Sequence, residues 1–308
     1  MTQSSPPAQT PTPAGLAKTA YLMLTISALC WGGNAVFGRL AVGEVSPMLL
    51  VTFRWLGVIL LLLLFARRTI SPHLPALRSR LGYVFLMGAL GFTGFNSLFY
   101  VSAHSTTAVN IGIIQGSVPG MVILGAFLAY RSRVTSLQIA GVALAIIGVI
   151  VIASAGDLDR LISLTFHQGD LLMVLACVLY SGYTVGLRQK PAVPPLALFG
   201  AFSLAALVAS LPGLIVEAST EHFLWPTSKG WVVILLVTLL PSFAAQVTYI
   251  RGVSLIGPGR ASVFLNLVPV FASIFAVGFL QESFELFQAT ALFLVVGGIW
   301  LSERGKSA

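Results

Sequence analysis

Charged residues are scarce in this sequence. They make up 8% of the 308 residues, whereas hydrophobic residues make up 57%, and a typical soluble domain carries about 25% charged residues. So few charges cannot cover the surface of a water-soluble protein of this length. The composition therefore excludes a soluble globular domain and predicts a chain whose surroundings are mostly lipid.

Cysteine is also nearly absent. Cys30 and Cys177 both lie inside apolar stretches, where a thiol packs as a small hydrophobic group. None of the four histidines has a companion at metal-ligand spacing, and no nucleotide-binding loop is present. We therefore expect no metal, no cofactor and no direct use of ATP.

Long apolar runs fill most of the chain instead. A membrane span needs about 20 apolar residues, and the sequence contains ten such runs. It therefore predicts an all-α integral membrane protein with ten transmembrane helices, and leaves no length for a soluble domain. The predicted spans are 21–42, 47–66, 81–102, 106–129, 136–153, 169–187, 195–216, 231–251, 260–280 and 286–302.

The first 18 residues differ from the rest of the chain. They are rich in Pro, Ser, Thr and Gln and show no periodicity, which is typical of disorder. They lack the basic start and short apolar core of a cleaved signal peptide. We expect residues 1–18 to be a disordered cytoplasmic tail and the first span to be retained.

The basic residues are distributed unevenly among the loops. With a cytoplasmic N-terminus, thirteen of the 17 Lys and Arg fall in or beside cytoplasmic loops, as the positive-inside rule predicts. The net charge of +8 therefore reflects membrane orientation rather than a nucleic-acid-binding patch. This distribution predicts a multi-pass protein of the inner (plasma) membrane with both termini in the cytoplasm.

The chain contains an internal duplication. Pro119 and Pro269 lie 150 residues apart, and Gly148 matches Gly298 at the same distance. A repeat of this length predicts two units, here residues 19–154 and 168–303. Because each unit has five spans, the second must enter the membrane with opposite orientation, and inverted repeats place a substrate site near the bilayer midplane.

Proline within the ninth span is expected to interrupt its helix. Pro269 lies in an apolar run and would leave the carbonyl of Leu265 without its helical partner. In lipid, such a carbonyl needs protein or a wet cavity beside it. The sequence therefore predicts that this part of the span faces the interior.

Three motifs carry a resemblance to a known family. They are Leu267-Val268-Pro269-Val270 followed by Leu280-Gln281-Glu282, then Cys30-Trp31-Gly32-Gly33-Asn34, and Ser46-Pro47 with Arg54 seven residues beyond. With these motifs, and from about residue 20 to residue 302, the chain resembles the EamA family of the drug/metabolite transporter superfamily. Within it, the chain is most similar to YddG-type aromatic amino acid exporters. The resemblance implies export of small metabolites, aromatic amino acids above all.

Polar amides inside the spans indicate a polar interior, because lipid does not tolerate them. They are Asn34, Asn96, Gln115, Gln246 and Asn266. Hydrogen bonding between helices is the alternative role for any one of them.

The aromatic residues fall into two groups according to their predicted depth in the membrane. Trp31 and Tyr183 are mid-span and predict a cavity wall, whereas Tyr100 and Tyr249 lie near span ends and favour an interfacial belt. The buried Arg54 is expected to be structural rather than a clamp for a substrate carboxylate, because the resemblance implies a common structural position. The predicted substrate-binding residues are Trp31, Asn34, Gln115, Tyr183, Gln246 and Asn266.

These observations favour a secondary transporter that exports small neutral or zwitterionic metabolites by alternating access. Its partners would be a small-molecule substrate and membrane lipid, with no nucleic acid and no obligatory protein partner. Other amino acids, drugs and nucleoside-like solutes remain alternative substrates.

Other classes of function have less support. An intramembrane enzyme would need a nucleophile, an acid–base pair or a metal set within the spans, and a receptor role would leave the duplication unexplained. No Asp or Glu lies near a span centre, so we also expect no obligatory proton exchange through a carboxylate.

Overall fold

The computed structural model describes residues 14–157, 159, 167–256, 261 and 263–305, and all regular structure in these ranges is helical. The ten long helices, with any internal π, 3-10 or turn segments included, are α1 Ala14–Ala41, α2 Pro47–Phe65, α3 Leu81–Ser102, α4 Ala108–Tyr130, α5 Ser136–Ala153, α6 Gln168–Gln189, α7 Pro195–Ala218, α8 Ser228–Ile256, α9 Leu267–Leu280 and α10 Leu286–Arg304.

The predicted fold class is confirmed. Helices α1 to α8 are long and apolar enough to cross a membrane, and two shorter apolar helices follow them. Large apolar side chains such as Leu64, Leu128 and Phe279 are exposed on the outside of the bundle, as expected where lipid is the solvent. The first helix begins at Ala14, inside the predicted tail, and residues 1–13 of that tail lie outside the described part of the chain.

Helix packing follows the duplication. Helix α1 packs against α8 and α9, and α6 packs against α3 and α4, while α2 pairs with α7 and α5 with α10. Exchanging each helix with the one five labels away, α1 with α6, α3 with α8 and α4 with α9, converts the first arrangement into the second. The two five-helix repeats are therefore interleaved around a shared centre, and neither forms a separate bundle.

Glycine allows the closest of these contacts. A Cβ on Gly141 would lie 2.3 Å from the carbonyl oxygen of Gly298, so α5 and α10 meet backbone to backbone. In α4, a Cβ on Gly112 would come within 2.3 Å of the Ala272 Cβ, and one on Gly116 within 2.8 Å of Val295. At these two positions glycine allows the close helix contact that small residues give in membrane proteins.

The connections after α4 and α9 show how far the repeats agree. Arg131 and Gln281 both end their helices in the left-handed conformation, with φ of 50° and 53°. Seven residues later, the Gln138 side chain accepts from the Thr135 backbone N–H, and Gln288 accepts from that of Glu285. Equivalent positions thus make the same hydrogen bond although the loops carry different charges.

The two matched prolines lie at helix starts. Pro119 is in the first turn of Val118–Tyr130, the second part of α4, and Pro269 is in the first turn of α9, after a 3-10 turn at Val263–Asn266. Backbone N–H groups in a first turn have no intrahelical partner, so proline costs nothing there. The expectation that Pro269 interrupts an established α-helix is wrong, because the α-helix begins only at Leu267, directly after the 3-10 turn.

Candidate functional site

One cavity lies between the two repeats. Its walls come from α1 to α4 in the first repeat, from α6 to α8 in the second, and from the turn into α9. Its volume is about 140 Å³, and a single water needs about 10–15 Å³. The cavity therefore has room for a small organic molecule.

The cavity lining is mixed in character. Rings cover much of the wall, and the polar groups are amides, a hydroxyl and one guanidinium. The aromatic residues are Trp31, Trp55, Phe92, Phe95, Tyr180 and Phe199. The polar residues are Asn34, Arg54, Asn96, Gln115, Ser242 and Gln246. No Asp or Glu of the described ranges belongs to this lining.

The structure brings four of the six predicted site residues together: Trp31, Asn34, Gln115 and Gln246 line the cavity. Asn266 does not belong to the lining and instead precedes the first turn of α9, with the lining residue Leu265 next to it.

Tyr183 lies behind the wall rather than in it. It is 7% exposed, and its ring packs 5.5 Å from that of Phe92 and 5.4 Å from that of Tyr180. Tyr180, one turn earlier on α6, takes the lining position. The duplication aligns Tyr180 with Trp31, so the prediction of Tyr183 is wrong and the internal symmetry was the signal that could have identified Tyr180.

A buried hydrogen-bond network is centred on Arg54, which is 4% exposed. Its Nε donates to Ser242 Oγ at 2.8 Å, and its Nη1 donates to Tyr100 Oη at 2.7 Å and to Asn96 Oδ1. Tyr100 Oη in turn donates to Asn34 Oδ1 at 3.0 Å. Helices α1, α2, α3 and α8 are thereby joined at the cavity wall.

This network corrects the interpretation of Tyr100. We expected it in an interfacial belt because it is near the end of α3, but it is 1% exposed and hydrogen-bonded inside the bundle. Distance from a helix end does not distinguish the inner face of a helix from its outer face. Tyr249, its counterpart, is partly exposed and packs 5.2 Å from the Trp31 ring.

Two π-helical segments shape the wall. They are Ala89–Gly94 in α3 and Thr238–Ala244 in α8, whose first residues are 149 apart. In α8, Pro241 removes the N–H that would have bonded to the Val237 carbonyl. That carbonyl accepts from Ser242 Oγ, and the Pro241 carbonyl accepts from Trp31 Nε1 at 3.0 Å. π-helical turns occur frequently at functional sites.

A polar network connects the helix ends on the side predicted to face outward. Arg39 forms an ion pair with Glu282 at 3.8 Å and donates to the Ala103 carbonyl. The Glu282 carboxylate also accepts from the backbone N–H groups of Ala108 and Val109 at 2.9 and 3.1 Å. The ends of α1, α3, α4 and α9 are therefore held together by one acid and one base.

A second part of that network contains a buried acid. Asp170, in the first turn of α6, is 0% exposed and accepts from Thr106 Oγ1 and from Asn110 Nδ2. Asn110 also accepts from Gln288 Nε2 at 2.9 Å. From the sequence we expected Asp170 only at a span end, and its complete burial is decided by tertiary packing.

His104, in the connection between α3 and α4, is an exposed residue whose ring is partly desolvated. Desolvation and the nearby Arg39 both lower its pKa. The neutral imidazole is therefore the form that this position favours.

Comparisons with known proteins agree with this architecture. The EamA-like transporter family model matches twice, at residues 18–154 and 167–304. The uncharacterized transporter YetK of Bacillus subtilis (strain 168) is 28% identical over 291 residues, covering 92% of this chain and 86% of that protein. The uncharacterized inner membrane transporter YedA of Escherichia coli (strain K12) is 23% identical, covering 90% of this chain and 88% of that protein.

A solved structure shares the fold. A crystal structure of another protein matches with a TM-score of 0.64 and 19% identity, covering 94% of this chain and 98% of the other. The names of these relatives specify no substrate, so they describe a class of protein and a fold. The two family matches cover both repeats, and the chain belongs to the EamA-like transporter family of multi-pass membrane transporters.

Proposed function

We propose that this transporter exports small zwitterionic solutes that carry an apolar ring, with aromatic amino acids as the leading candidates. The observation that supports this proposal most is the composition of the cavity wall, which combines several aromatic side chains with a compact polar network around Arg54. An amino acid with a flat apolar side chain has the same two parts.

The aromatic rings provide an apolar surface of defined geometry. Phe95 and Tyr180 lie 5.1 Å apart by ring centroids, and Trp55 stacks on Phe92 at 4.7 Å. The cavity-facing sides of these rings can pack a further ring in the offset or tilted geometry that aromatic pairs prefer. Other neutral amino acids would use the same polar groups and lose the ring contacts, which makes them the second candidate class.

Cationic drugs are less suitable substrates. A cation in a membrane cavity needs an anionic partner or several carbonyl groups, and the described lining contains no carboxylate and already carries Arg54. A positive charge brought near Arg54 would be repelled. The proposal therefore places neutral and zwitterionic solutes ahead of cations.

Alternating access is the mechanism that fits two interleaved repeats. Relative movement of α1, α3, α4 and α9 would break the Arg39–Glu282 ion pair and release the N-terminus of α4. Such a contact is weak enough to open and close, because partly exposed ion pairs contribute about 0–1 kcal/mol. We infer that this outward end acts as a gate and that both termini are cytoplasmic.

The same structure supports transport without obligatory proton exchange. Asp170 is the most buried acid of the described chain, but its carboxylate accepts hydrogen bonds from Thr106 and Asn110 and is absent from the cavity lining. A carboxylate that alternates between substrate and proton would have to reach the cavity. Transport would then follow the solute's own gradient.

The test is transport by the purified protein in liposomes. Labelled phenylalanine, tryptophan and tyrosine would be compared with leucine, uridine and a lipophilic cation, with protein-free liposomes as the background. We expect saturable uptake of the aromatic amino acids, slower uptake of leucine and none of the cation. Trp31→Ala and Gln246→Ala should reduce aromatic uptake at equal protein abundance, whereas the exposed Gln189→Ala should not.

The results would contradict the proposal in two ways. Uptake of the lipophilic cation in preference to amino acids would show that the substrate class is wrong. Normal aromatic uptake by both cavity variants would show that the cavity is not the transport pathway.

A further inference from the structure

The guanidinium of Arg54 has a hydrogen-bonding capacity that the protein uses only in part. Arginine remains charged in proteins and carries five N–H donors. Nε and Nη1 are engaged by Ser242, Tyr100 and Asn96, all of which are neutral. Within the described ranges, the ion pairs join other residues, Arg39 to Glu282 and Lys229 to Glu44.

The remaining nitrogen, Nη2, has no hydrogen-bond partner in the described part of the chain. It keeps some accessible surface, since the fully buried side-chain atoms that lack a partner there are Trp55 Nε1, Ser97 Oγ and Ser181 Oγ. Arg54 lines the cavity. Nη2 is therefore a charged donor with access to the cavity space.

A second donor without an acceptor belongs to the neighbouring residue. The indole N–H of Trp55 is buried with no partner among the described residues, and Trp55 also lines the cavity. Buried polar groups without partners are rare in folded proteins, and each calls for an explanation. Of these two neighbouring donors, Trp55 Nε1 is fully covered by protein and Arg54 Nη2 is not, so Nη2 is the one that an acceptor in the cavity can reach.

The position of the guanidinium is fixed by its aromatic neighbours. Its central carbon lies 5.1 Å from the centroid of the Trp55 ring and 5.6 Å from that of Tyr100. Contact with ring faces stabilises the cation and supplies no acceptor for its N–H groups. The side chain is thus held in place while one of its edges stays available.

We propose that Arg54 binds an anionic group of the transported solute, and that this group is a carboxylate. A planar guanidinium matches a planar carboxylate in shape and charge, and the rest of the wall, with Phe95 and Tyr180, suits an apolar body attached to it. This inference rests on the proposed transport function and names the substrate class of that site. It also revises the expectation that Arg54 is only structural. A structural role explains the hydrogen bonds of Nε and Nη1 and leaves Nη2 without a function.

The test compares four probes that share one ring: phenylalanine, 3-phenylpropionate, phenylalaninamide and phenethylamine. Binding to the purified full-length protein would be followed by quenching of its tryptophan fluorescence, to which Trp31 and Trp55 in the cavity contribute, and by calorimetry. We expect both carboxylates to bind about tenfold to a hundredfold more tightly than the amide and the amine, the range for a hydrogen-bonded charged group.

Variants of Arg54 test whether the preference for carboxylates depends on this residue. Arg54→Gln should remove the preference for carboxylates, and Arg54→Lys should keep part of it because the charge remains without the planar fork. Arg304→Gln is the matched control, since it removes the same charge from an exposed position beside Trp300. Equal binding of carboxylate and amide by the wild type would overturn the proposal, and this comparison stands even if Arg54→Gln fails to fold.

An inorganic anion is the other source of negative charge. In chloride titrations, competition with 3-phenylpropionate in the wild type, absent in Arg54→Gln, would support an anion site at Arg54. Binding of chloride with no response to either carboxylate would overturn the assignment to the solute.

Failure of the proposed function can be distinguished from failure of the carboxylate site. Failure to transport labelled phenylalanine, together with tight binding of 3-phenylpropionate, would reject aromatic amino acids as substrates while supporting the carboxylate site.

Discussion

Helices α3 and α8 hold equivalent places in the two repeats, and the comparison between them separates what the duplication conserves from what it does not. Each has a π-helical segment at the cavity wall. In α8 the hydroxyl after the proline, Ser242, accepts from Arg54, whereas in α3 Thr93 donates to the Ala206 carbonyl and stabilises only helix packing.

The same contrast appears between α2 and α7. At the 149-residue spacing that relates α1 to α6 and α3 to α8, the position of Arg54 corresponds to Ser203. Ser203 is 0% exposed and donates to the Phe199 carbonyl of its own helix. The repeats therefore share a backbone plan that suits alternating access, while the site is asymmetric, with its charge contributed by one repeat only.

The largest expected effect comes from adding a methyl group at Gly91, where α3 packs closely against α6 beside the cavity. A Cβ on Gly91 would lie 2.2 Å from Cγ of Tyr183, so Gly91→Ala should destabilise the protein by about 1–3 kcal/mol and reduce transport. Gly182→Ala is the matched control, because its Cβ would meet nothing within 4 Å. Thermal unfolding in detergent measures the difference, and equal melting temperatures would mean that the wall is not closely packed here.

The next effect is of similar size and concerns transport more than folding, and it comes from removing the hydroxyl of Ser242. Ser242→Ala takes away the acceptor of Arg54 Nε, and losing a hydrogen bond to a charged group costs about 1.5–3 kcal/mol. Transport at limiting solute should fall at least about tenfold. Ser203→Ala serves as control, since that buried hydroxyl bonds only to its own helix, at Phe199. Similar losses in both variants would contradict a special role for Ser242.

Asp170→Asn should change transport only modestly. Asparagine keeps an oxygen that can accept from Thr106 and Asn110, so the outer network should persist. We expect uptake to show no requirement for an imposed pH gradient in either the wild type or the variant. Uphill accumulation driven by a pH gradient, and lost in Asp170→Asn, would show that this carrier is proton-coupled through that acid.

The smallest effect on transport is expected from placing one cysteine in the loop after α4 or in the equivalent loop after α9. Arg133→Cys and Ser283→Cys place a thiol at exposed, matched positions, after Cys30 and Cys177 are replaced by Ala. With inverted repeats and cytoplasmic termini, an impermeant maleimide added to intact cells should label only the second variant. Labelling of both from one side of the membrane would contradict the inversion.

The sequence by itself determined the helices and their duplication. Apolar run length predicted the ten spans, because the bilayer sets the length of a transmembrane helix, although α1 and α9 start seven residues from their predicted positions. Four of the six predicted site residues line the cavity, since an amide or indole at membrane depth must face protein or water.

Tertiary structure decided which face each residue occupies. It placed Tyr180 in the lining and Tyr183 behind it, buried Tyr100, and brought Ser242 within 2.8 Å of Arg54 across 188 residues. The roles of Arg54 and its partners depend on how α2, α3 and α8 are rotated against one another, and periodicity within apolar runs carries little information about rotation. Helix rotation is set by packing between neighbours, which only the folded chain specifies.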